Sequence, residues 1–305
     1  MTNKQYTPLV SVTVLTYNSS KYVLETLESI KAQTYQNIEL IISDDCSTDN
    51  TVEICRNWLD ENKERFVATH LIASPVNTGI PANKNRALSK CKGEWTKGIA
   101  GDDMLLMNCI ENNISIILNN PNINILQTNL NYYENAFSQD KFLRTSNVQD
   151  NTFFKDGVTA KQQLIMNLYR NRILAPSIFI KTDVIRKVGG YDEDIPLIED
   201  LPFWVKVAKH GYKIDYSEII TVNYRLHNKS VTKTKNDKEE LSSKYAKNLL
   251  AYSKKYKQNN VSYIHYFCYN LKLYLIIFLN KFGLSKNIFL RVRFIKNCIN
   301  QIINI

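Results

Sequence analysis

Val10 to Leu15 reads VSVTVL, a short β-branched run of the kind that forms a buried strand. Thr16-Tyr17-Asn18-Ser19-Ser20 follows, rich in turn and helix-capping residues, and beyond it Val23, Leu24, Leu27 and Ile30 recur at helical spacing. Ile38 to Ile42 predicts a second strand, ended by Ser43-Asp44-Asp45-Cys46-Ser47-Thr48-Asp49, with a helix from about Thr51 to Leu59. Ala68 to Ala73 predicts a third strand, residues 77–83 a turn, and a helix begins near Asn83. A fourth strand, Trp95 to Ile99, is stopped by Gly101-Asp102-Asp103. Residues 130–160 are polar and irregular and read as an excursion. After them come a strand over Ala175 to Lys181, a turn over Val188 to Asp192, a helix over Asp200 to His210 and a strand-like Ile219 to Val222.

Strands alternating with helices predict an α/β fold, a mostly parallel sheet with right-handed crossovers flanked by helices. Ligands of such sheets bind beyond the carboxyl ends of the strands. Three polar clusters fall at that edge: Thr16 to Ser19, Asp44 to Asp49, and Gly101 to Asp103.

With 305 residues, the chain has room for one large domain, residues 1–235, and a C-terminal helical extension, 236–305. An apolar content of 44% against 22% charged residues excludes wholesale disorder. Charge divides the two parts. Lys233 to Ile305 holds 12 Lys, 2 Arg and 3 acids, a net +11, which leaves −1 for residues 1–232 of the chain's +10. That points away from nucleic acid as a partner of the core and towards a basic appendage meeting an anionic membrane surface. Tyr263 to Leu279 is apolar nearly all round, but its unbroken apolar run, Leu273 to Leu279, is far shorter than the roughly 20 residues of a spanning helix. Two readings stay open for it: a helix lying in a membrane interface, or a helical hairpin packed on the core. Six cysteines, scattered without a paired spacing, fit a reducing compartment. The opening MTNKQYTPLVSV lacks an apolar run followed by a cleavage site. Together these predict a cytoplasmic protein, peripheral on the inner face of the plasma membrane.

Each cluster has a functional and a structural reading. Asp102 and Asp103, adjacent acids at a strand end, repel one another and suit a hard divalent cation that shares substrate phosphates, or they simply cap the next turn. A carboxylate at Asp44 or Asp45 can accept from the N–H of a nucleobase, while Ser47, Thr48 and Asp49 can cap the following helix. From Asn77-Thr78-Gly79 onward, Lys84 and Arg86 are read as cations in a first helical turn, where an anionic ligand would offset their conflict with the helix dipole. Glu199 and Asp200 open a helix, as dipole partners or as a general base. His227 and Arg225 follow a strand, a metal ligand and a phosphate partner in the functional reading.

Taken in this order, five segments resemble the family 2 glycosyltransferases of the GT-A (Rossmann-like) fold: VSVTVLTYNSSKYVLETLESIKAQTYQNIELIISDDCSTDNT, NTGIPANKNRAL, KGIAGDD, IEDLPFWVKVAKHG and YRLHNKSVT, within residues 8–232. The resemblance implies inverting transfer from a nucleoside-diphosphate sugar, a UDP-hexose or UDP-N-acetylhexosamine, to a hydroxyl of a glycan or lipid-linked glycan. It implies a divalent metal, Mg²⁺ or Mn²⁺. Thr16, Tyr17 and Asn18 would flank the base and ribose, and Asp44 with Asp45 would hold the base. Asn77, Gly79, Lys84, Arg86 and Arg225 would serve the donor. Asp102 would meet the ribose and the metal, Asp103 and His227 the metal. Asp200, or else Glu199, would deprotonate the acceptor. Two departures stand out. Ala100 occupies a place where many relatives carry an acid, and Cys46 replaces a usual glycine, so its backbone must tolerate a side chain. The chain lacks the Gln-x-x-Arg-Trp element of polymerising members, which implies single additions. The missing acid at position 100 admits a rival, a sugar-nucleotide binding protein without catalysis.

Overall fold

A computed structural model describes residues 7–146, 152–169, 171–227 and 243–281. The strands are β1 (Val10–Thr16), β2 (Ile38–Asp44), β3 (Ala68–Ala73), β4 (Trp95–Ala100), β5 (Met104–Leu105), β6 (Ile125–Glu134), β7 (Phe142–Thr145), β8 (Ile178–Lys181) and β9 (Asp215–Leu226). The helices are α1 (Val23–Lys31), α2 (Thr51–Asn62), α3 (Ile80–Leu88), α4 (Cys109–Asn119), α5 (Ala160–Tyr169), α6 (Thr182–Lys187), α7 (Asp200–Lys209), α8 (Ser243–Tyr252) and α9 (Tyr263–Lys281).

All nine strands join one sheet in the order β3-β2-β1-β4-β8-β6-β9-β5, with β7 beside β6. The expected parallel sheet occupies its first half, where β1 lies between β2 and β4 and β3 flanks β2. The second half is mixed: β8 runs antiparallel to β4 and β6, while β9 is parallel to β6. The sheet curls because the chain forces it to. Ala100 and Met104 are four residues apart, a reach of at most about 14 Å, yet β5 is four strand positions from β4, about 19 Å on a flat sheet.

The crossovers bury the apolar faces of α1, α2 and α4 against β1, β2 and β4, around Val12, Leu40, Leu27, Trp58 and Ile110. A second core unites β6 and β8 with α5, α6 and α7 around Phe179's neighbours Ile178 and Ile180, Phe203 and Trp204. Strand register aligns the ligand edge: Thr16 lies opposite Asp44, and Leu15 opposite Ala100. The Gly101 N–H donates to the Leu15 carbonyl at 2.9 Å. A Cβ on Gly101 would meet Thr16 Cγ2 at 2.8 Å, so this close approach requires glycine.

The fold differs from the sequence expectation in several places, besides β5, which was not expected, and β9, which is longer than Ile219 to Val222. First, the end of β6 and all of β7 fall inside the expected excursion over 130–160, at 130–134 and 142–145; residues 147–151 of that stretch lie outside those described. The polar pattern concealed β6 because its buried amides bond to distant segments: the Gln127 amide oxygen accepts from the Leu174 N–H, and Asn129 donates to the Glu218 carbonyl. Second, α3 starts at Ile80 rather than near Asn83, since Gly79, at φ +87°, caps it. Third, Ala175–Ser177 is a 3-10 turn and β8 begins only at Ile178. Fourth, α4, α5 and α6 had no counterpart in the sequence reading.

The C-terminal extension is helical where described, with a π-helical turn at Ser253–Lys257 between α8 and α9. Tyr252 and Tyr256 pack with Leu168, Ile195, Ile198 and Val205 of the main body. The expected boundary at 235/236 lies outside the described residues. Among the described residues, no helix is long and apolar enough to cross a membrane.

Candidate active site

At the ends of β1 and β2 the acids turn inward. The Thr16 hydroxyl donates to Asp44 Oδ2 at 2.7 Å, and the Ser47 N–H to Asp44 Oδ1 at 2.8 Å. Asp45 binds the next turn: Oδ1 accepts from the Thr78 N–H at 3.0 Å and Oδ2 from the Gly79 N–H at 2.7 Å. Both carboxylates are buried, and their described bonds stitch the rim together. Asn18, at φ +51°, accepts from the Thr48 N–H through its amide oxygen. Cys46 adopts the left-handed conformation, φ +68°, that its substitution for glycine demanded. Tyr17, half exposed at 51%, and Asn77, also exposed, stand at the open edge.

Lys84 and Arg86 sit in the second turn of α3, not the first, because Gly79 starts the helix early. The dipole argument for an anion beside them therefore fails, and acids of the protein take that place. Arg86 reaches Asp45 at 3.5 Å and donates to the Thr78 hydroxyl at 2.6 Å. Lys84 Nζ is 2.9 Å from Asp200 Oδ1 and 3.6 Å from Glu199 Oε1. Burial by itself would lower the Lys84 pKa, but the charge of Asp200, then Tyr191 and Glu199, outweighs it, so the ammonium is held above its ordinary range. Glu199 and Asp200 open α7 as expected.

At the end of β4, Asp102 Oδ2 and His227 Nε2 are 2.9 Å apart, and the His227 ring packs on Tyr22 with centroids 4.9 Å apart. Asp103 is buried. Its Oδ1 accepts from the Arg225 N–H at 2.9 Å, and among the described residues its Oδ2 has no hydrogen-bond partner. Burial, and next the charge of Asp102, push the Asp103 carboxyl well above the usual carboxylate range, against the Arg225 N–H and guanidinium. Arg225, expected to meet phosphate, is instead buried with protein partners. It donates to the carbonyls of Asp102 and Asn135, pairs with Glu25, and lies between the rings of Tyr22 and Phe137. A guanidinium that braces three loops in this way is a structural pin.

Among the described residues, no three His, Cys, Asp or Glu side chains converge as a ready metal site. Two donors do fit one. Cis ligands around Mg²⁺, with bonds of about 2.1 Å, lie about 3.0 Å apart, and Asp102 Oδ2 and His227 Nε2 have nearly that spacing.

Sequence reasoning missed several residues that organise this rim: Tyr22, which caps α1, Glu25 and Thr26 in its first turn, Phe137 after β6, and Tyr191 against Lys84. The first three were within reach, since any helix that leaves a ligand-binding strand end presents its first turn to the site. Phe137 and Tyr191 gave no local signal.

Residues 11–184 match the family model described as Glycosyl transferase family 2. The chain belongs to that family of glycosyltransferases. An uncharacterized glycosyltransferase of Methanocaldococcus jannaschii is 27% identical over 280 residues, covering 89% of each chain. The glycosyltransferase GlyG of Streptococcus pneumoniae is 40% identical over 104 residues, 34% of this chain and 33% of its own. Among solved structures, S. aureus TarS 1–349 in complex with UDP-GlcNAc superposes with a TM-score of 0.58 at 19% identity, covering 88% of this chain and 72% of that one. A mannosyltransferase of Pyrobaculum calidifontis in complex with GDP-Man and Mn²⁺ gives 0.58 at 17% identity, covering 84% and 66%. At these identities the structural likeness establishes the GT-A fold.

Proposed function

We propose that the chain is an inverting glycosyltransferase. It moves a sugar from a UDP-hexose or UDP-N-acetylhexosamine to a hydroxyl of a glycan or lipid-linked glycan. One observation carries the reading: Lys84, on the helix beside the donor loops, contacts Asp200, the residue that suits a general base. A base and a donor site must share one rim for direct displacement.

In this reading Tyr17 stacks on the nucleobase, and the loops of Asn18, Asp44, Asp45, Asn77 and Gly79 shape the nucleoside pocket. Asp102 and His227 hold a divalent cation, Mg²⁺ or Mn²⁺, with Asp103 behind them. When bound, that ion offsets the charge of the departing diphosphate. Asp200 accepts the proton of the attacking hydroxyl, and Lys84 orients its carboxylate. Arg86 stays with Asp45. The basic extension meets an anionic membrane face on the cytoplasmic side, which suits a lipid-linked acceptor.

A screen of sugar nucleotides for cation-dependent stabilisation tests the donor, because a ligand of the folded state raises the melting temperature. UDP-sugars should stabilise the chain only with Mg²⁺ or Mn²⁺ present, and the stabilising one should be consumed. Stabilisation without any turnover, with glycan acceptors or water, favours the rival reading of a binding protein.

A further inference from the structure

The loop that leads into α7 is held from two sides. On one side α3 grips it. The Tyr191 N–H donates to Asn85 Oδ1 at 2.8 Å, Asn85 Nδ2 returns to the Tyr191 carbonyl at 3.0 Å, and Lys84 contacts Asp200. A Cβ on Gly79 would stand 3.3 Å from Pro196, so the donor-side turn and this loop already touch. On the other side lies the C-terminal extension. Tyr256, buried at 7% exposure, donates its hydroxyl to Asp192 Oδ2 at 2.5 Å. Lys255 lies 2.8 Å from the same oxygen and 2.9 Å from Asp194 Oδ2. The Leu197 N–H donates to Asn248 Oδ1 at 3.3 Å. Ile195 and Ile198 pack on Tyr252 and Tyr256.

We propose that Lys255 and Tyr256 are positioning residues for Asp200: by gripping Asp192 they fix the 191–199 loop and so the place at which α7 presents its first carboxylate. This rests on the reading of Asp200 as the base. The physical case is one of division of labour. Residues 191–199 contain no strand or helix of the chain's regular elements, so their conformation must come from outside contacts. A general base works only within hydrogen-bond reach of its proton, and an error of 1 Å costs about 10²-fold. Asp192, itself buried, receives an ammonium and a phenol from the extension together with the loop's own Asp194 N–H, and these contacts hold its carboxyl below the usual range against the opposing effect of burial. The extension thereby has a task inside the catalytic domain, separate from any surface it meets.

The full chain with Tyr256→Phe keeps the ring and loses one hydrogen bond; Lys255→Met removes the cation at a half-exposed position. Amide hydrogen exchange needs no knowledge of the donor. In both variants exchange should quicken at least about 10-fold in residues 191–200 while residues 80–88 stay as protected as before. Turnover of whichever of UDP-glucose, UDP-N-acetylglucosamine and GDP-mannose the wild type consumes with Mn²⁺ should fall about 10-fold, with donor affinity unchanged. Lys255→Arg should restore both. Unchanged exchange in 191–200, or quickened exchange with full turnover, overturns the proposal. The base assignment fails separately, if Asp200→Asn keeps its turnover. Should the wild type consume none of the three donors, unchanged exchange in 191–200 still overturns the proposal.

Discussion

Lys84 Nζ lies 2.9 Å from Asp200 Oδ1, across 116 residues of sequence, and so joins the helix beside the donor loops to the helix that opens with the expected base. Replacing Asp200 by Asn keeps the size of the side chain and removes its ability to take a proton. Turnover should fall by about 10²–10⁴-fold, while a stabilising sugar nucleotide should raise the melting temperature as before. Initial rates and thermal shifts on the same preparation check both halves.

The pairing of Asp102 with His227 makes a second expectation concrete. His227→Ala removes one of the two proposed ligands, but the fold's main cores are untouched. The Mn²⁺ concentration needed for half-maximal stabilisation in the presence of UDP should rise at least about 10-fold. An unchanged titration would remove His227 from the metal site.

Cys46, at φ +68°, should respond to substitution according to backbone strain rather than side-chain packing. A left-handed residue with a Cβ costs roughly 1–2 kcal/mol, and glycine loses about 0.5–1 kcal/mol through the freer unfolded chain. Cys46→Gly should thus gain between about 0 and 1.5 kcal/mol over the wild type. Cys46→Val, β-branched at a positive φ, should lose about 1–2 kcal/mol. Urea titrations distinguish the two.

Lys257 predicts a rise of stability with pH. Its side chain is buried against the ring of Tyr269 at 3.8 Å and near Tyr252, and burial lowers its pKa to about 8. In the unfolded chain a lysine titrates near about 10.4. Between these values the unfolded state binds more protons, so stability should climb from pH 8 to about pH 10. His265 titrates below its ordinary range because of burial and then Lys257, so it is neutral in both states here; Tyr252 and Tyr269, raised by burial, oppose the rise only as the unfolded tyrosines ionise near about pH 10, so the climb is cleanest up to about pH 9. Lys257→Met should flatten the profile and add about 1–3 kcal/mol at pH 7. Melting temperatures of both proteins across pH 7 to 10 provide the check.

The order of strands and helices through β4 was legible in the sequence because each strand is a short apolar run bounded by turn residues, and each helix buries one apolar stripe. The acids at the ends of β2 and β4 were legible for the same reason, since a strand's end is a local event. Which way those acids face was not. Asp44 and Asp45 turn inward because Thr16, Ser47, Thr78 and Gly79 offer them donors, and those donors come from the end of β1 and from the loops after β2 and β3. Arg225 is a pin and not a rim cation because β9 runs beside β6 and brings it under Phe137 and over Tyr22. β6 itself escaped notice because it buries polar Gln127 and Asn129, whose described bonds reach residues 47 and 89 positions away. Periodicity tells which face a side chain takes; only the packed sheet, which sets residues 116 and 125 positions apart within hydrogen-bond reach, decides what it meets there.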